Sequence, residues 1–214
     1  MSRFTFSSES VSEGHPDKVC DYISDSILDA CFKEDPASRV ACETLCKSDT
    51  VVLAGEITTN AKLDYDRIVR QAVREIGYSD QSEPFCDSTL KLISLITNQS
   101  NEISQGVTAA TSQSGDQGAG DQGIMFGYAT DESEEMMPLP ILLAHKLTKG
   151  LSDERKDGKV DFLRPDSKSQ VSVVYEDNEP KYVSTVVVST QHTASADQKK
   201  ITEYIREDLG PRVL

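Results

Sequence analysis

Gly14-His15-Pro16-Asp17-Lys18 joins a histidine, a carboxylate and a lysine in one short run, at the point where a helix should begin. Pro16 suits a first helical position, because its missing N–H would be unpaired there anyway. Downstream, Val19, Ile23, Ile27 and Cys31 recur every four residues with Leu28 beside them, one apolar stripe reaching about Phe32. A helix N-terminus favours anions, and a nearby carboxylate can hold a divalent cation. His15, Asp17 and Lys18 therefore read as a phosphate-and-metal corner. The same residues also read as an ordinary capped helix with solvated charges.

Working outward, residues 3–6 alternate as a short strand before this helix. After it, Val40 to Cys46 and Val51 to Ile57 read as two strands joined by a Lys47-Ser48-Asp49-Thr50 turn. Asp64 to Ile76 carries Ile68, Val69, Ala72, Val73 and Ile76 as a second helix, closed by Gly77. Leu90 to Thr97 is a third apolar strand, which makes the order β-α-β-β-α-β. From Asn98 to Gly123 the chain turns to Ser, Gly, Gln, Thr and Asn, a composition of functional or unstructured stretches. The same order then begins again. Met125 to Ala129 reads as a short strand, and Pro138 to about Leu151 as a helix with Ile141, Leu142, His145 and Leu147. Gln170 to Tyr175 and Tyr182 to Ser189 read as strands around a turn at Asp177-Asn178-Glu179-Pro180, and Asp197 to Glu207 as a closing helix with Ile201, Tyr204 and Ile205. The expectation is an α+β fold of repeated β-α-β-β-α-β units. The last unit is one strand short, as in a fragment whose completion takes an apolar strand after Leu214.

Composition narrows the function classes. The chain has 214 residues, 37% hydrophobic and 27% charged, so it can bury a core without any tryptophan. A net charge of −14 opposes binding to nucleic acid or to an anionic membrane, and makes any basic phosphate site a local exception. No run of 18 apolar residues occurs, and the N-terminal Met1 to Ser10 has no apolar signal region, so a cytoplasmic location is expected. The five cysteines, Cys20, Cys31, Cys42, Cys46 and Cys86, are odd in number and scattered. Cys42 and Cys46 lack a second Cys/His pair, which argues against zinc and for reduced thiols.

Several other segments carry possible chemistry. Glu43 and Glu56 sit inside or at the ends of strands; in a period-two pattern Glu43 and Cys42 face opposite sides, so Glu43 lines a site wall or an exposed edge. Gln99, in Asn98-Gln99-Ser100, either binds a polar ligand or caps the strand end. Gly115 to Gly123 repeats Gly-Asp-Gln-Gly around Asp121, whose carboxylate suits an amine or a metal, but it is neither a P-loop nor a dinucleotide fingerprint. Arg164-Pro165-Asp166-Ser167-Lys168 places two cations around an aspartate, a grip for phosphates or a solvated loop. His145 and His192 read as structural. No Ser-His-Asp spacing, G-x-S-x-G or H-E-x-x-H motif occurs.

Taken in order, seven segments closely resemble the S-adenosylmethionine synthetase (methionine adenosyltransferase) family. They are Gly14 to Lys18, Ala41-Cys42-Glu43-Thr44, Gly55-Glu56-Ile57-Thr58-Thr59, Gly118-Ala119-Gly120-Asp121-Gln122-Gly123, Met125 to Thr130, Arg164 to Val171 and Ser189-Thr190-Gln191-His192. The resemblance spans essentially the whole chain. Family chains are nearly twice as long, and their later Gly-Leu-Thr-Gly-Arg-Lys and Gly-Gly-Gly-Ala-Phe-Ser-Gly-Lys-Asp segments are absent from this sequence. The implied fold has three similar α+β domains about a pseudo-threefold axis. Residues 1–99 would form the first, 100–114 a gating loop and 115–214 an incomplete central domain, with the C-terminal domain missing. The implied reaction makes S-adenosylmethionine from ATP and L-methionine, with tripolyphosphate cleaved to phosphate and diphosphate. The resemblance implies His15 at the leaving oxygen, Asp17 on Mg²⁺ and Glu43 on an activating K⁺. It implies Glu56, Gln99 and Asp121 around methionine, and Asp166 and Lys168 on ATP, Lys168 as a catalytic phosphate partner. It also implies homodimers with shared active sites, paired again as tetramers. The alternative is a non-catalytic truncated paralogue or fragment that keeps the fold and dimer surface.

Overall fold

The structure, a computed structural model, describes residues 2–98 and 123–214. Strand β1 (Arg3–Val11) leads into helix α1 (Pro16–Glu34), then the hairpin of β2 (Arg39–Lys47) and β3 (Thr50–Thr58), helix α2 (Tyr65–Ile76) and strand β4 (Lys91–Thr97). Beyond residue 122 follow α3 (Leu139–Lys156), the long hairpin of β5 (Leu163–Glu176) and β6 (Glu179–His192), and α4 (Gln198–Tyr204). The chain closes with a π turn over Ile205–Leu209 and α5 (Gly210–Val213).

Local chemistry explains these boundaries. His15 caps α1 and Pro16 opens it; Asp64 caps α2 by accepting from the Arg67 N–H, and Gly77 ends it at φ 114°, in the left-handed region that glycine enters without strain. Asp177 and Asn178, at φ 51° and 67°, make the two-residue β5–β6 turn, which matches the twist of the flanking strands. The every-fourth stripe of α1, Val19, Ile23, Ile27 and Cys31, is buried against α2 and the β2–β3 hairpin, where it meets Val51, Leu53, Val69 and Val73. Each such side chain contributes about 1.5–3 kcal/mol on burial. A second core joins Leu143 and Leu147 of α3 to Val171, Val173 and Tyr175 of β5.

The sheets depart from the expected order in one respect. Strands β2, β3 and β4 form one three-stranded sheet, with β3 parallel to β4, but β1 lies in the other, ordered β1-β5-β6. It runs antiparallel to β5 from Arg3 opposite Glu176 to Val11 opposite Lys168. Phe4 stacks on Tyr175 with ring centroids 5.1 Å apart, the Ser7 and Ser172 hydroxyls bond at 2.7 Å, and Ser10 bonds His145 of α3 at 2.8 Å. A serine-rich strand thus finds its polar partners on β5 and on the helix α3 that covers it. The strand expected at Met125 to Ala129 is not formed; the segment packs against neither core and Met125 is 94% exposed. The other expected elements are present: β1, α1, the β2–β3 hairpin and the β5–β6 hairpin run longer than expected, α2 and β4 begin one residue later, and the last helix breaks at Tyr204 into the π turn.

Candidate active site

The corner read from the sequence is built where the turn between β1 and α1 lies against β5. Gly14 lies directly on Pro165: a Cβ at Gly14 would collide with the Pro165 side chain, carbonyl carbon and oxygen, the last at 2.5 Å. Ser12 holds the same join. Its hydroxyl donates to the Pro165 carbonyl and accepts from the Ser167 N–H, both at 2.7 Å, and its own N–H donates to the Ser167 carbonyl at 2.9 Å. The buried Tyr78 hydroxyl donates to the Gly14 carbonyl at 2.6 Å. The start of α1 is therefore pinned to the β5 segment that carries Arg164, Asp166 and Lys168.

His15 has its tautomer set by the cap. Its Nδ1 accepts from the Asp17 N–H at 3.2 Å, which leaves the ring proton of neutral imidazole on Nε2 as a free donor. Asp166 lies near it: burial pushes this carboxyl above its ordinary value, and the neighbouring His15 ring works against that rise. On β5, Arg164, Asp166, Lys168 and Gln170 alternate with the buried Pro165, Ser167 and Ser169, so they share the accessible face. Lys168 pairs with Glu9 at 2.9 Å while half exposed, and Arg164 reaches Asp80 at 3.2 Å and Glu83 at 3.6 Å. The result is a histidine donor, a lysine and an arginine gathered on one side of an acidic chain.

Glu43 and Glu56 stand elsewhere, on the face of the β2-β3-β4 sheet turned away from α1 and α2. Glu43 is exposed and Cys42 packs against the core, so the alternation read from the sequence holds. Across the hairpin Glu43 lies opposite Ala54, and Glu56 opposite Ala41. Gly55, at φ 122°, opens a niche between them: a Cβ there would meet the Ala41 carbonyl oxygen and, at 2.6 Å, Glu43 Oε2. The same face shows Leu45, 61% exposed, and Leu95, 60% exposed, with Ile93 beside them.

Asp17 presents a carboxylate 88% exposed on the first turn of α1, where the helix dipole favours negative charge. No group of three or more His, Cys, Asp or Glu suited to a metal occurs among the described residues. A single hard oxygen ligand nonetheless fits Mg²⁺, which keeps several waters and shares phosphate oxygens with one or two carboxylates. At Gly55 the Ala41 carbonyl oxygen and Glu43 Oε2 converge, two oxygen donors of the kind that bind hard cations. Gln99, Asp121 and the 100–114 segment lie outside the described residues. His145 and His192 are held structurally, by Ser10 and by the Thr193 carbonyl at 2.9 Å. The sequence reading missed Ser12, Glu13, Tyr78 and Arg155, which support the corner; each is an ordinary residue type whose role exists only through a contact distant in sequence. Among the described residues no helix is long and apolar enough to cross a membrane, and the five cysteines are free.

Residues 3–101 match the family model described as S-adenosylmethionine synthetase, N-terminal domain, and residues 116–214 match that of the central domain. Relatives named S-adenosylmethionine synthase share 53% identity over 206 residues in Sorangium cellulosum, covering 96% of this chain and 49% of the relative. In Akkermansia muciniphila the identity is 55% over 213 residues, covering 95% of this chain and 54% of the relative. In Synechococcus sp. (strain CC9902) it is 48% over 223 residues, covering 100% and 55%. The chain spans about half the length of the curated relatives it matches.

Proposed function

We propose, because this chain belongs to the S-adenosylmethionine synthetase family, that it serves the synthesis of S-adenosyl-L-methionine from ATP and L-methionine, with tripolyphosphate cleaved to phosphate and diphosphate. The thioether sulfur of methionine has no proton to lose, so its attack on the ribose C5′ needs no general base. The sulfur lone pair forms the S–C5′ bond, the C5′–O bond breaks, and its electron pair goes to the triphosphate oxygen. Charge gathers on that leaving group, so donors and cations aimed at it dominate the rate.

The observation that carries this reading is the orientation of His15: Nδ1 is used at the cap, which leaves Nε2–H for a ligand, and the ring is near enough to Asp166 to bear on its carboxyl. In this reading Nε2–H donates to the departing oxygen, Lys168 leaves Glu9 for a phosphate, and Asp166 holds ATP. Asp17 would hold Mg²⁺, which when bound neutralises phosphate oxygens. Glu43, with the Ala41 carbonyl, would hold K⁺, while Glu56 with Gln99 and Asp121 would surround methionine; carboxylates there suit the positive sulfonium of the product. Residues 1–99 and 115–214 act as the first and central domains, with 100–114 as a gate. The open β2-β3-β4 face, with Leu45, Ile93 and Leu95, supports a homodimer sharing its active sites, paired again as a tetramer in the cytoplasm.

The test is incubation of the chain with ATP, methionine, Mg²⁺ and K⁺, with S-adenosylmethionine read by mass spectrometry and phosphates by ³¹P NMR. Formation of S-adenosylmethionine with phosphate and diphosphate supports the reading; no product and no binding of Mg²⁺-tripolyphosphate refutes it. A second reading is a non-catalytic fragment or paralogue that keeps the fold and dimer surface. Dimers in sedimentation with neither product nor tripolyphosphate binding would establish it.

A further inference from the structure

Each residue of the turn before α1 is held by a different part of the fold, and Glu13 is held by charge. Its Oε1 accepts from Ser152 Oγ at 2.6 Å and from Arg155 Nη2 at 2.5 Å, and its Oε2 from Lys156 Nζ at 2.6 Å. Three donors from the last turns of α3 thus converge on the residue that precedes Gly14-His15. Arg155, with a side chain 13% exposed, also donates to the Ile76 carbonyl at 2.9 Å and so occupies the C-terminal end of α2. Gly77 makes room for it, because a Cβ there would strike Arg155. One guanidinium therefore joins α2, α3 and the turn.

We propose that Glu13 and Arg155 are positioning residues for His15. The inference rests on the reading of His15 as the donor to the leaving oxygen. Gly14, with no side chain, cannot fix its own backbone, and Ser12 and Tyr78 hold only its two sides. The clasp on Glu13 sets where the chain enters α1, and hence where Nε2–H points. A displacement of 1 Å at a reacting group costs about 10²-fold in rate.

The test compares the 214-residue chain with Glu13→Gln and Arg155→Lys. Amide hydrogen exchange is read at His15, Asp17 and Val19, whose N–H groups donate to the Ser12 carbonyl, His15 Nδ1 and the His15 carbonyl. We expect exchange about tenfold faster at these three amides in Glu13→Gln, with the β5–β6 amides changed less than about twofold. Arg155→Lys keeps the charge and should give a smaller local effect. Where turnover is measurable, kcat should fall in both variants with the KM for methionine unchanged. Unchanged exchange at the three amides, or equal acceleration throughout, overturns the proposal; if Glu13→Gln does not fold, Arg155→Lys decides by the same criterion. A wild-type chain that neither turns over nor binds Mg²⁺-tripolyphosphate would instead refute the functional reading, and the exchange data would still judge the clasp.

Discussion

Replacing Gly14 with alanine tests whether the corner is as tight as its contacts imply. The added methyl would start 2.5 Å from the Pro165 oxygen and nearer still to its carbonyl carbon. Ordinary carbon contacts lie at about 3.5–4.0 Å, so the two segments must part by about 1 Å. Neither can yield locally, because the obstacle is backbone and Ser12 ties both strands together just beside it. Overpacking of this kind costs about 1–3 kcal/mol, and backbone contact with a pinned neighbour puts Gly14→Ala toward the upper end. The same displacement carries His15 away from Asp166 and Lys168, for which about 10² in rate is the usual penalty. Urea unfolding gives the first quantity. Calorimetric titration of Mg²⁺-tripolyphosphate, together with turnover, gives the second. A Gly14→Ala chain with the parent's unfolding midpoint and the parent's affinity would refute the argument that this glycine is needed for close approach.

Tyr78→Phe should lose about 1–3 kcal/mol in the same urea assay, because the Gly14 carbonyl is left without its donor; an unchanged midpoint would contradict that. Asp166→Asn should melt higher than the parent at pH 7. Burial raises the folded pKa of this carboxyl above its ordinary 3.8, so its ionisation costs stability as the pH rises from the unfolded value through the folded one. The gap should close below pH 3.8, and a gap independent of pH would count against the assignment. Asp17→Asn should abolish Mg²⁺-dependent binding of tripolyphosphate with little change in melting, since the side chain is solvent-facing; full binding at ordinary Mg²⁺ would remove Asp17 from the metal site.

Much of this was legible wherever the signal is local. The stripe from Val19 to Cys31, the Gly77 stop and the Asp177-Asn178 turn depend on neighbours a few residues away, and each appears where periodicity and turn chemistry place it. The partner of β1 was not legible, because alternation states which side chains share a face and nothing about which edge receives them. The Met125 to Ala129 strand failed for the same reason: its residues suit a strand, but nothing in its alternation names an edge to pair with, and its side chains lie exposed. At the site, His15, Asp17, Asp166 and Lys168 announce themselves by residue type. The contact of Gly14 with Pro165 that joins their two segments does not, since a glycine that admits a distant segment looks like any turn glycine.

The pairing of β1 with β5 also sets a clock on the newborn chain. Strand β1 meets its partner only about 160 residues further along the chain. At about 5–20 residues per second, it spends roughly 8–30 s as an unpaired edge. Over that interval the β2-β3-β4 sheet and both of its helices can assemble from contacts close in sequence, whereas the second sheet must wait for the β5 hairpin to return to the N-terminus. The polar make-up of Arg3 to Val11, with serines at 7, 8 and 10 and phenylalanine only at 4 and 6, suits a segment that stays in water before it is needed. The turn that presents His15 is consequently among the last parts of this chain to take shape.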